Sequence, residues 1–390
     1  MAPITFHLRS EDKKLEHRSA LTPNTVRELL ENGFAVNVER SPVRIFRDIE
    51  FEEAGATLVQ TGSWPDAPVD NIIIGLKELI EEDFPLVHTH IQFAHCYKGQ
   101  GGWEEVLSRF PRGGGTLYDM EFLEDENGRR VAAFGYHAGY AGMALAIMDW
   151  AWQLFSGGKT PMPGKQYYKN VGDLIEEVKA DLEKGLAKTS GRIPQILVIG
   201  ALGRCGGGAL DLCRAVGIPE SNLLKWDMAE TAKGGPFIEI RESDIFVNCI
   251  YLSADIPKFV TEDFLKQGPR QLSVVADVSC DTSNPLNPIP FCNKPTYFDK
   301  PTITLPESEF CNPPLSYITI DHLPSLLPRE ASESFSAALL PSLLELKNRS
   351  NSRVWQKAGQ LFHDKVATLP PQLQQAKGIP NGNVVPAVGP

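Results

Sequence analysis

The first part of the chain alternates short apolar runs with amphipathic stretches. The runs ITFHL, FAVNVE, ATLVQ and NIIIGLK have the length of strands, and turn-forming residues separate them. In TPNTVRELLENG, Thr22 supplies a helix N-cap, Pro23 suits the first turn and Gly33 ends the helix. Strands that alternate with helices are typical of a parallel sheet with crossover helices. The pattern therefore predicts an α/β domain at the start of the chain.

A second series of strands follows a long apolar helix. Helices are predicted at 137–155 and 171–187, and strands in PQILVI, NLLKWD, DIFVNCIY, LSVVADVS and LSYITID. The stretch 131–152 is long enough to span a membrane, but it carries His137 and Asp149 and has no counterpart elsewhere. We therefore expect a buried helix, a second sheet and no membrane partner.

The charge pattern narrows the function classes. The net charge is -11, and acidic and basic residues are interspersed without a basic stripe, which argues against nucleic acid and anionic membranes as partners. MAPITFHLRS shows no secretion or import signal, and the seven cysteines form no CxxC pair. These features are typical of a reducing compartment, so the prediction is a cytoplasmic protein.

Three glycines mark a candidate nucleotide site. Gly200, Gly203 and Gly206 stand in VIGALGRCGGGALDL, directly after an apolar strand and before an amphipathic helix. Small residues there let the backbone approach a pyrophosphate, and the helix N-terminus offers free N–H groups. The next strand ends in Asp227, 27 residues after Gly200, where a carboxylate can bind the adenosine ribose. The alternative is a tight strand-to-helix turn without a ligand.

Residues around this loop bear on the cofactor and on redox chemistry. Asp227 would repel a 2′-phosphate and so favours NAD over NADP, whereas Lys225 and Lys233 leave that choice open. Cys205 lies in the loop, and Cys249 ends a strand that would neighbour it in a doubly wound sheet. The two cysteines either approach each other or remain separate free thiols.

The stretch VHTHIQFAHCYKG, 87–99, raises a question of metal or acid–base chemistry. In a strand, His88 and His90 share one face, and His95 faces the other way or lies past the strand end. The three imidazoles then cannot easily converge, and no metal site is predicted. His95 instead follows the carboxyl end of its strand, as Lys77 follows the end of the preceding one. They form a candidate acid–base pair, although a lysine at a sheet edge is often only solvated.

Other charged residues are candidates for binding a charged substrate. Arg18 in EHRSALTP and Arg129 and Arg130 in ENGRRVAAFG can bind carboxylates in a bidentate manner. Glu78 and Glu121 would complement an ammonium group. The alternative for each of these residues is ordinary surface charge.

The patterns and the length of 390 residues predict two domains. The fold class is α/β, with two Rossmann-like domains and mostly parallel sheets. The substrate-binding catalytic domain is expected at 1–135 and about 325–369, because the helix after HLPSLLPREAS can pack back on it. The dinucleotide-binding domain is expected at 136–324, with proline-rich loops at 280–314, and 370–390 are expected to be a disordered tail.

Several of these motifs together resemble one enzyme family. GLKE, HIQFAHCYK, GTLYDMEFLEDENGRRVAAFG, VIGALGRCGGGALDL, KWDMAET, DIFVNCIYLS, DVSCDTSNP and IDHLPSLLPREAS resemble the fungal NAD-dependent, lysine-forming saccharopine dehydrogenases over about 4–345. EHRSALTP also resembles alanine dehydrogenase and the NAD-binding subunit of transhydrogenase. The resemblance implies a monomer with an active-site cleft between its two domains. It implies the reaction of saccharopine, NAD and water to lysine, 2-oxoglutarate and NADH.

The resemblance also implies residue roles. The lysine matching Lys77 takes a proton from the secondary amine of the substrate, and the histidine matching His95 acts in hydrolysis of the imine. It further implies that Cys205 and Cys249 can form a disulfide. The implied substrate contacts are Arg18, Glu78, Gln100, Arg130, Phe134, Ser279, Cys280 and Asp281, beside the candidate Glu121. The implied cofactor contacts are Arg129, Gly203, Arg204, Asp227, Thr231, Tyr251, Val278, Ile320, Asp321, His322 and Leu323, beside the candidate Gly200.

The proposed base must meet a physical condition. A lysine accepts a proton near neutral pH only if burial or a neighbouring cation lowers its pKa from about 10.4. Two other functions compete with this interpretation. One is oxidative deamination of a simple amino acid such as alanine on the same scaffold, and the other is a regulatory NAD-binding module without turnover.

Overall fold

The computed structural model describes residues 3–13, 15–80, 82–99, 101–158, 160–252, 254–280, 282 and 284–374. The chain divides into two compact units, Met1–Ala133 with Ser332–Pro390, and Phe134–Ala331. The chain returns to the first unit at Ser332 rather than at the expected boundary of about 325, because Leu323, Leu326 and Leu327 pack in the core of the second unit.

The first unit contains a six-stranded parallel sheet. Its strands are β1 (Thr5–Leu8), β2 (Ala35–Glu39), β3 (Thr57–Val59), β4 (Ile72–Ile74), β5 (Thr89–Gln92) and β6 (Thr116–Asp119). The helices between them are α1 (Pro23–Glu31), α2 (Asp48–Glu53) and α3 (Trp103–Gly113), with 3-10 turns at Trp64–Asp66 and Met120–Phe122. The strand order is β3-β2-β1-β4-β5-β6, and all neighbouring strands are parallel. The order reverses between β1 and β4, the position where α/β sheets bind ligands.

Local chemistry explains how these elements begin. The hydroxyl of Thr22 accepts the backbone N–H of Thr25, and Pro23 lies in the first turn of α1, as the sequence predicts. The α/β fold class predicted from the apolar runs is confirmed.

The C-terminal part of the first unit consists of helices that pack on this sheet. Between Pro328 and Gln374 the structure has three α-helices. The backbone N–H of Ser19 donates to the Ser332 hydroxyl (2.9 Å), and the Ser336 hydroxyl donates to Thr25 (2.7 Å). These contacts hold the segment from Ser332 onward to the first unit.

The second unit contains another six-stranded sheet. Its strands are β7 (Ile196–Ile199), β8 (Leu223–Trp226), β9 (Ile245–Asn248), β10 (Val274–Asp277), β11 (Ile303–Thr304) and β12 (Ser316–Ile318). Its helices are α4 (Gly135–Ser156), α5 (Val171–Lys188), α6 (Arg204–Ala215), α7 (Met228–Thr231), α8 (Ile238–Glu242) and α9 (Glu262–Leu265), with 3-10 turns at Glu220–Asn222 and Leu323–Leu326. The order is β11-β12-β10-β9-β7-β8, parallel except for β11 against β12. The antiparallel β11 lies inside the segment 280–314, for which loops were predicted.

The last helices are α10 (Pro328–Leu344), α11 (Arg353–Ala367) and α12 (Pro371–Gln374), with a 3-10 turn at Glu345–Asn348. The prediction of a disordered tail from residue 370 was wrong for 371–374. Leu369 is buried in an apolar cluster with Phe110 and Phe362, and Leu373 packs against it, so burial of leucine orders this turn. The remainder of the tail lies outside the described residues.

The apolar stretch 131–152 forms most of α4, and most of its residues are buried in the second unit. Its one acidic residue, Asp149, accepts hydrogen bonds from Ser316 and from Gln153, and burial raises the pKa of Asp149 to about 7. The predicted buried helix is therefore confirmed. In the part of the chain that the structure describes, no helix combines the length and apolar character needed to cross a membrane.

Candidate active site

Charged side chains converge at the carboxyl edge of the first sheet. Lys77 and Glu78 follow β4, and His95 follows its parallel neighbour β5. Nδ1 of His95 lies 2.5 Å from Oε1 of Glu78. Because parallel strands end at the same edge, two residues far apart in sequence are brought into hydrogen-bonding distance. The structure thus joins Glu78 to both members of the candidate acid–base pair, as chain neighbour of one and hydrogen-bond partner of the other.

The pKa of Lys77 is shifted downward, as the role of a base requires. Burial lowers the pKa of Lys77, and the nearby positive charges of Arg18 and Lys13 lower it further. Glu16 and Glu78 act in the opposite direction without reversing the effect. A buried amine among cations gives up its proton more readily than one in water.

His95 is held in an unusual backbone conformation. Its φ is +51°, in the left-handed region that residues other than glycine seldom adopt. The carboxylate of Asp119, at the end of β6, accepts the N–H of Ala94 (3.2 Å) and the N–H of Glu121 (2.9 Å). Burial raises the pKa of Asp119 to about 6, and the two backbone donors act against that rise. Asp119 therefore fixes the backbone beside His95.

Glu78 is strongly acidic in this position. Burial alone would raise its pKa, but the hydrogen bond and charge of His95, together with Lys13, lower it to about 2. Lys13 Nζ lies 3.8 Å from the Glu78 carboxylate. Glu78 is therefore ionised across the physiological pH range, and its hydrogen bond orients the imidazole.

Arg18 is buried and paired, contrary to the picture of an open carboxylate binder. Its Nε and Nη2 donate to the two carboxylate oxygens of Glu16 at 2.8 and 2.6 Å. Burial would raise the pKa of Glu16, but the charge and hydrogen bonds of Arg18 lower it to about 2. The guanidinium therefore already has an anionic partner close to Lys77.

Glu121 lies between two cations. Its Oε1 is 2.7 Å from Nζ of Lys98 and 3.3 Å from Nη2 of Arg130, and these charges lower its pKa against the effect of burial. Arg129 is exposed on a turn whose backbone is held by Asp125. The candidate Gln100 lies outside the described residues.

The remaining histidines of 87–99 are structural. Nε2 of His88 lies 2.9 Å from the carbonyl oxygen of Ala67, and His90 is fully buried, edge-on to Trp64 and Phe110. His88 and His90 share a face, with ring centroids 6.2 Å apart, and His95 lies past the strand end. Within the described ranges, no group of three or more His, Cys, Asp or Glu side chains is placed to hold a metal ion.

The glycine loop of the second unit joins β7 to α6. Gly200 has φ +86°, and a Cβ on Gly206 would lie 2.2 Å from the carbonyl oxygen of Gly200, so the turn requires glycine at both positions. Gly203 is the N-cap of α6 and provides no side-chain hydrogen bond to its first turn. The backbone there suits the approach of an anionic pyrophosphate.

Asp227 follows β8, the strand next to β7. Its carboxylate accepts the N–H of Leu202 in the loop (3.1 Å) and that of Met228 (2.9 Å), while Thr231 donates its hydroxyl to the Asp227 carbonyl (2.9 Å). Tyr251, past the end of β9, is 64% exposed. The predicted acid is therefore attached to the glycine loop through a backbone hydrogen bond.

Cys205 and Cys249 lie together as free thiols. Because β9 pairs with β7, Cys249 just after β9 lies beside the glycine loop that follows β7. The hydrogen bond with Cys205 and burial raise the pKa of the Cys249 thiol well above its usual value. Of the two alternatives for these cysteines, the structure has the close approach, and both thiols are free.

Other candidates follow the ends of β10 and β12 in the same sheet. Cys280 has φ +50° and donates its thiol to the carbonyl of Thr319 (3.0 Å), and the Ser279 hydroxyl donates to Asp277 (2.6 Å). The side chains of Ile320 and Leu323 are core residues, so only their backbone can face a ligand. Three further candidates lie near these ends or at the start of α4: Val278 after β10, His322 bonded to Asp321, and Phe134 as the N-cap of α4. Arg204 is exposed in the first turn of α6, and Asp281 lies outside the described residues.

Comparison with known proteins identifies the family. A saccharopine dehydrogenase (NAD(+), L-lysine-forming) of Neurospora crassa is 61% identical over 375 residues, covering 96% of this chain and 100% of that protein. The enzyme of the same name from Yarrowia lipolytica is 60% identical over 368 residues, 94% of this chain and 99% of that protein. The chain belongs to this saccharopine dehydrogenase family.

More distant matches agree with the fold. The family described as "Alanine dehydrogenase/PNT, N-terminal domain" matches residues 7–141. The solved structure of an L-alanine dehydrogenase aligns with a TM-score of 0.63 at 17% identity, covering 93% of this chain and 100% of that one. At that identity the likeness concerns the fold alone.

Several charged residues of this saccharopine dehydrogenase family member were missed from the sequence. The residues near Lys77 or His95 at the edge of the first sheet that were missed are Glu11, Lys13, Glu16 and Asp119. A signal was available, since residues that directly follow parallel strands meet at one edge. Glu11 follows β1 in this way, and Asp119 ends β6.

Proposed function

We propose that the protein catalyses the NAD-dependent oxidation of saccharopine to L-lysine and 2-oxoglutarate, with uptake of water and formation of NADH. The observation that carries this function is the 61% identity, over 96% of the chain, to an enzyme named for that activity. Alanine oxidation is not favoured, because the likeness to alanine dehydrogenase is at 17% identity.

The first chemical requirement is a neutral secondary amine. Only its lone pair can assist loss of hydride from the adjacent carbon, and a free amine of this kind is protonated near neutral pH. We assign removal of that proton to Lys77. Its burial and the cations Arg18 and Lys13 lower its pKa and favour the neutral amine that can accept a proton.

The second requirement is hydrolysis of the imine that oxidation leaves. Water adds to the imine carbon, and the resulting carbinolamine breaks its C–N bond as a proton reaches the departing nitrogen. We assign these proton transfers to His95, whose imidazole is oriented by Glu78 at 2.5 Å. Glu78 remains an anion beside it and stabilises the protonated imidazole that such transfers produce.

NAD accepts the hydride. The residues of the second unit suit this cofactor, because Gly200 and Gly206 leave no room for side chains at the loop and the N-terminus of α6 is without a side-chain cap. Asp227 would bind the adenosine ribose and disfavour a 2′-phosphate.

Saccharopine carries three carboxylates and two amines. We propose that Arg130 binds one carboxylate, and that Glu121 assists by neutralising an ammonium group. Arg18 remains a proposed substrate contact because of the family resemblance, and in the structure its Nε and Nη2 donate to Glu16. The other proposed substrate contacts are Gln100, Phe134, Ser279, Cys280 and Asp281. We further propose a cytoplasmic monomer, in keeping with the seven free cysteines.

The test is NADH formation by the purified protein from saccharopine and NAD, with alanine and NADP as controls. We expect turnover with saccharopine and NAD alone. K77M should lower kcat by roughly 10²- to 10⁴-fold, the usual contribution of general acid–base catalysis, while NAD still binds. Turnover with alanine alone would overturn the substrate assignment, and full activity of K77M would overturn the role of Lys77.

A further inference from the structure

The backbone of Lys77 is hydrogen-bonded to a carboxylate that follows the neighbouring strand. β1 and β4 are parallel neighbours, so the residues after β1 reach the residues after β4. Oε1 of Glu11 accepts the N–H of Leu76 at 2.6 Å, and Oε2 accepts the N–H of Lys77 at 2.9 Å. The Glu11 side chain is only 6% exposed. One buried carboxylate thus takes both backbone donors at the point where the chain turns to present Lys77.

A second charged residue completes this contact. Nη1 of Arg9 donates to Oε2 of Glu11 (3.3 Å), and Nη2 of Arg9 donates to the carbonyl oxygen of Lys77. The Arg9 side chain is fully buried, and a Cβ on Gly75 would lie 2.3 Å from its Nε. Gly75 therefore leaves the space through which Arg9 reaches Lys77.

We infer that Glu11, supported by Arg9, is a positioning residue for the base Lys77. This inference rests on the proposed function and names a residue that acts on the reaction only through Lys77. Three hydrogen bonds fix the N–H and C=O of Lys77 and the N–H before it, which leaves the lysine side chain few directions in which to extend. A proton acceptor must lie within hydrogen-bonding distance of the amine, and a displacement of about 1 Å can cost about a hundredfold in rate.

The central test is E11Q. Glutamine keeps the size of glutamate, but its single carbonyl oxygen can serve only one of the two N–H groups, and its NH2 group opposes the other. With the parent enzyme active, we expect E11Q to lower kcat by about ten- to a hundredfold, with the KM for NAD changed less than about threefold. The limb of the pH–rate profile that depends on deprotonation of Lys77 should also shift, because displacement takes the Lys77 amine out of its buried position.

The matched control is D244N. Asp244 is likewise buried, pairs with an arginine (Arg192, 2.8 Å) and accepts a backbone N–H (Gln195, 2.8 Å), but it directly precedes β9 in the second unit. D244N is expected to keep kcat within about threefold of the parent, so that loss of a buried, arginine-paired carboxylate is separated from loss of the contact with Lys77.

A double-mutant cycle separates positioning from general damage. E11Q in the K77M background should lower the residual kcat by less than about threefold, because no lysine remains to be positioned. Equal losses in both backgrounds, or an E11Q enzyme with parental kcat and pH profile, would overturn the inference while leaving the proposed function intact. A parent without saccharopine turnover would overturn the proposed function and the inference with it.

If E11Q does not fold, E11D carries the same cycle. Aspartate keeps both carboxylate oxygens on a side chain shorter by one methylene. A loss of kcat with E11D that is present beside Lys77 and absent in K77M supports the inference, and a loss of equal size in both backgrounds overturns it.

Discussion

Replacing Glu16 by glutamine tests the electrostatics around the proposed base. In the native protein the Glu16 carboxylate forms a bidentate pair with Arg18, and both side chains are nearly inaccessible to solvent. E16Q removes the anion and leaves the Arg18 guanidinium buried without it. Loss of one member of a buried pair typically costs about 3–5 kcal/mol.

The pKa of Glu16 gives an independent magnitude. Its value falls from 4.5 to about 2 on folding, and that difference corresponds to about 3 kcal/mol of stability at neutral pH. Because the folded pKa is the lower one, this contribution is fully present above pH 4.5 and is lost as the pH falls through about 2. E16Q should therefore be less stable than the parent by about 3 kcal/mol at pH 7, and the difference should shrink below pH 4.5.

Urea unfolding at pH 7 and at intervals down to pH 2.5 or so measures this difference directly. E309Q serves as the control, because both side chains of the Glu309–Lys266 pair are solvent-exposed and its loss should leave the midpoint nearly unchanged. A deficit of E16Q below about 1 kcal/mol at pH 7, or one that does not vary with pH, would refute the assignment of a buried, ionised pair. The same deficit in an R18M background would show that Arg18 is not its cause.

Three further substitutions test single assignments. H95Q should lower kcat by roughly 10²- to 10⁴-fold and change the pH profile, and an unchanged profile would remove the acid–base role. D227A should weaken NAD binding by about ten- to a hundredfold and relax discrimination against NADP, as calorimetric titration of both cofactors would show. D119N should lower kcat by about tenfold in steady-state assays, because the asparagine oxygen can accept the N–H of Ala94 or of Glu121 but not both. A parental kcat would show that Asp119 does not position the backbone beside His95.

The fold was largely predictable because it depends on local patterns. Apolar runs predicted the positions of the parallel strands, and the glycines after β7 predicted the strand-to-helix loop that we propose binds NAD. The same strand order explains why Lys77 and His95 could be selected, since both follow carboxyl ends. The two-residue β11 gave no such pattern, as its pairing with β12 depends on the surrounding loops.

The charge pairs of the site were not predictable in the same way. Glu16 and Arg18 are two residues apart in an irregular segment, where no period relates sequence spacing to direction, so Arg18 looked like an open cation. The left-handed backbone of His95 is also invisible in the sequence, because the Asp119 carboxylate that accepts the neighbouring N–H of Ala94 comes from a strand that follows later in the chain. Long-range contacts of this kind are known only once the neighbours of each strand are known.

The acids around Lys77 oppose its use as a base, since a carboxylate next to an ammonium normally raises the pKa of that ammonium. The structure removes this objection by giving each acid another cation. Glu16 is bound by Arg18, and Glu78 is approached by Lys13 and hydrogen-bonded to His95. An anion whose charge is compensated by another cation stabilises the Lys77 ammonium less than an uncompensated one would. Burial then decides the outcome, and the pKa of Lys77 falls although two glutamates lie near it.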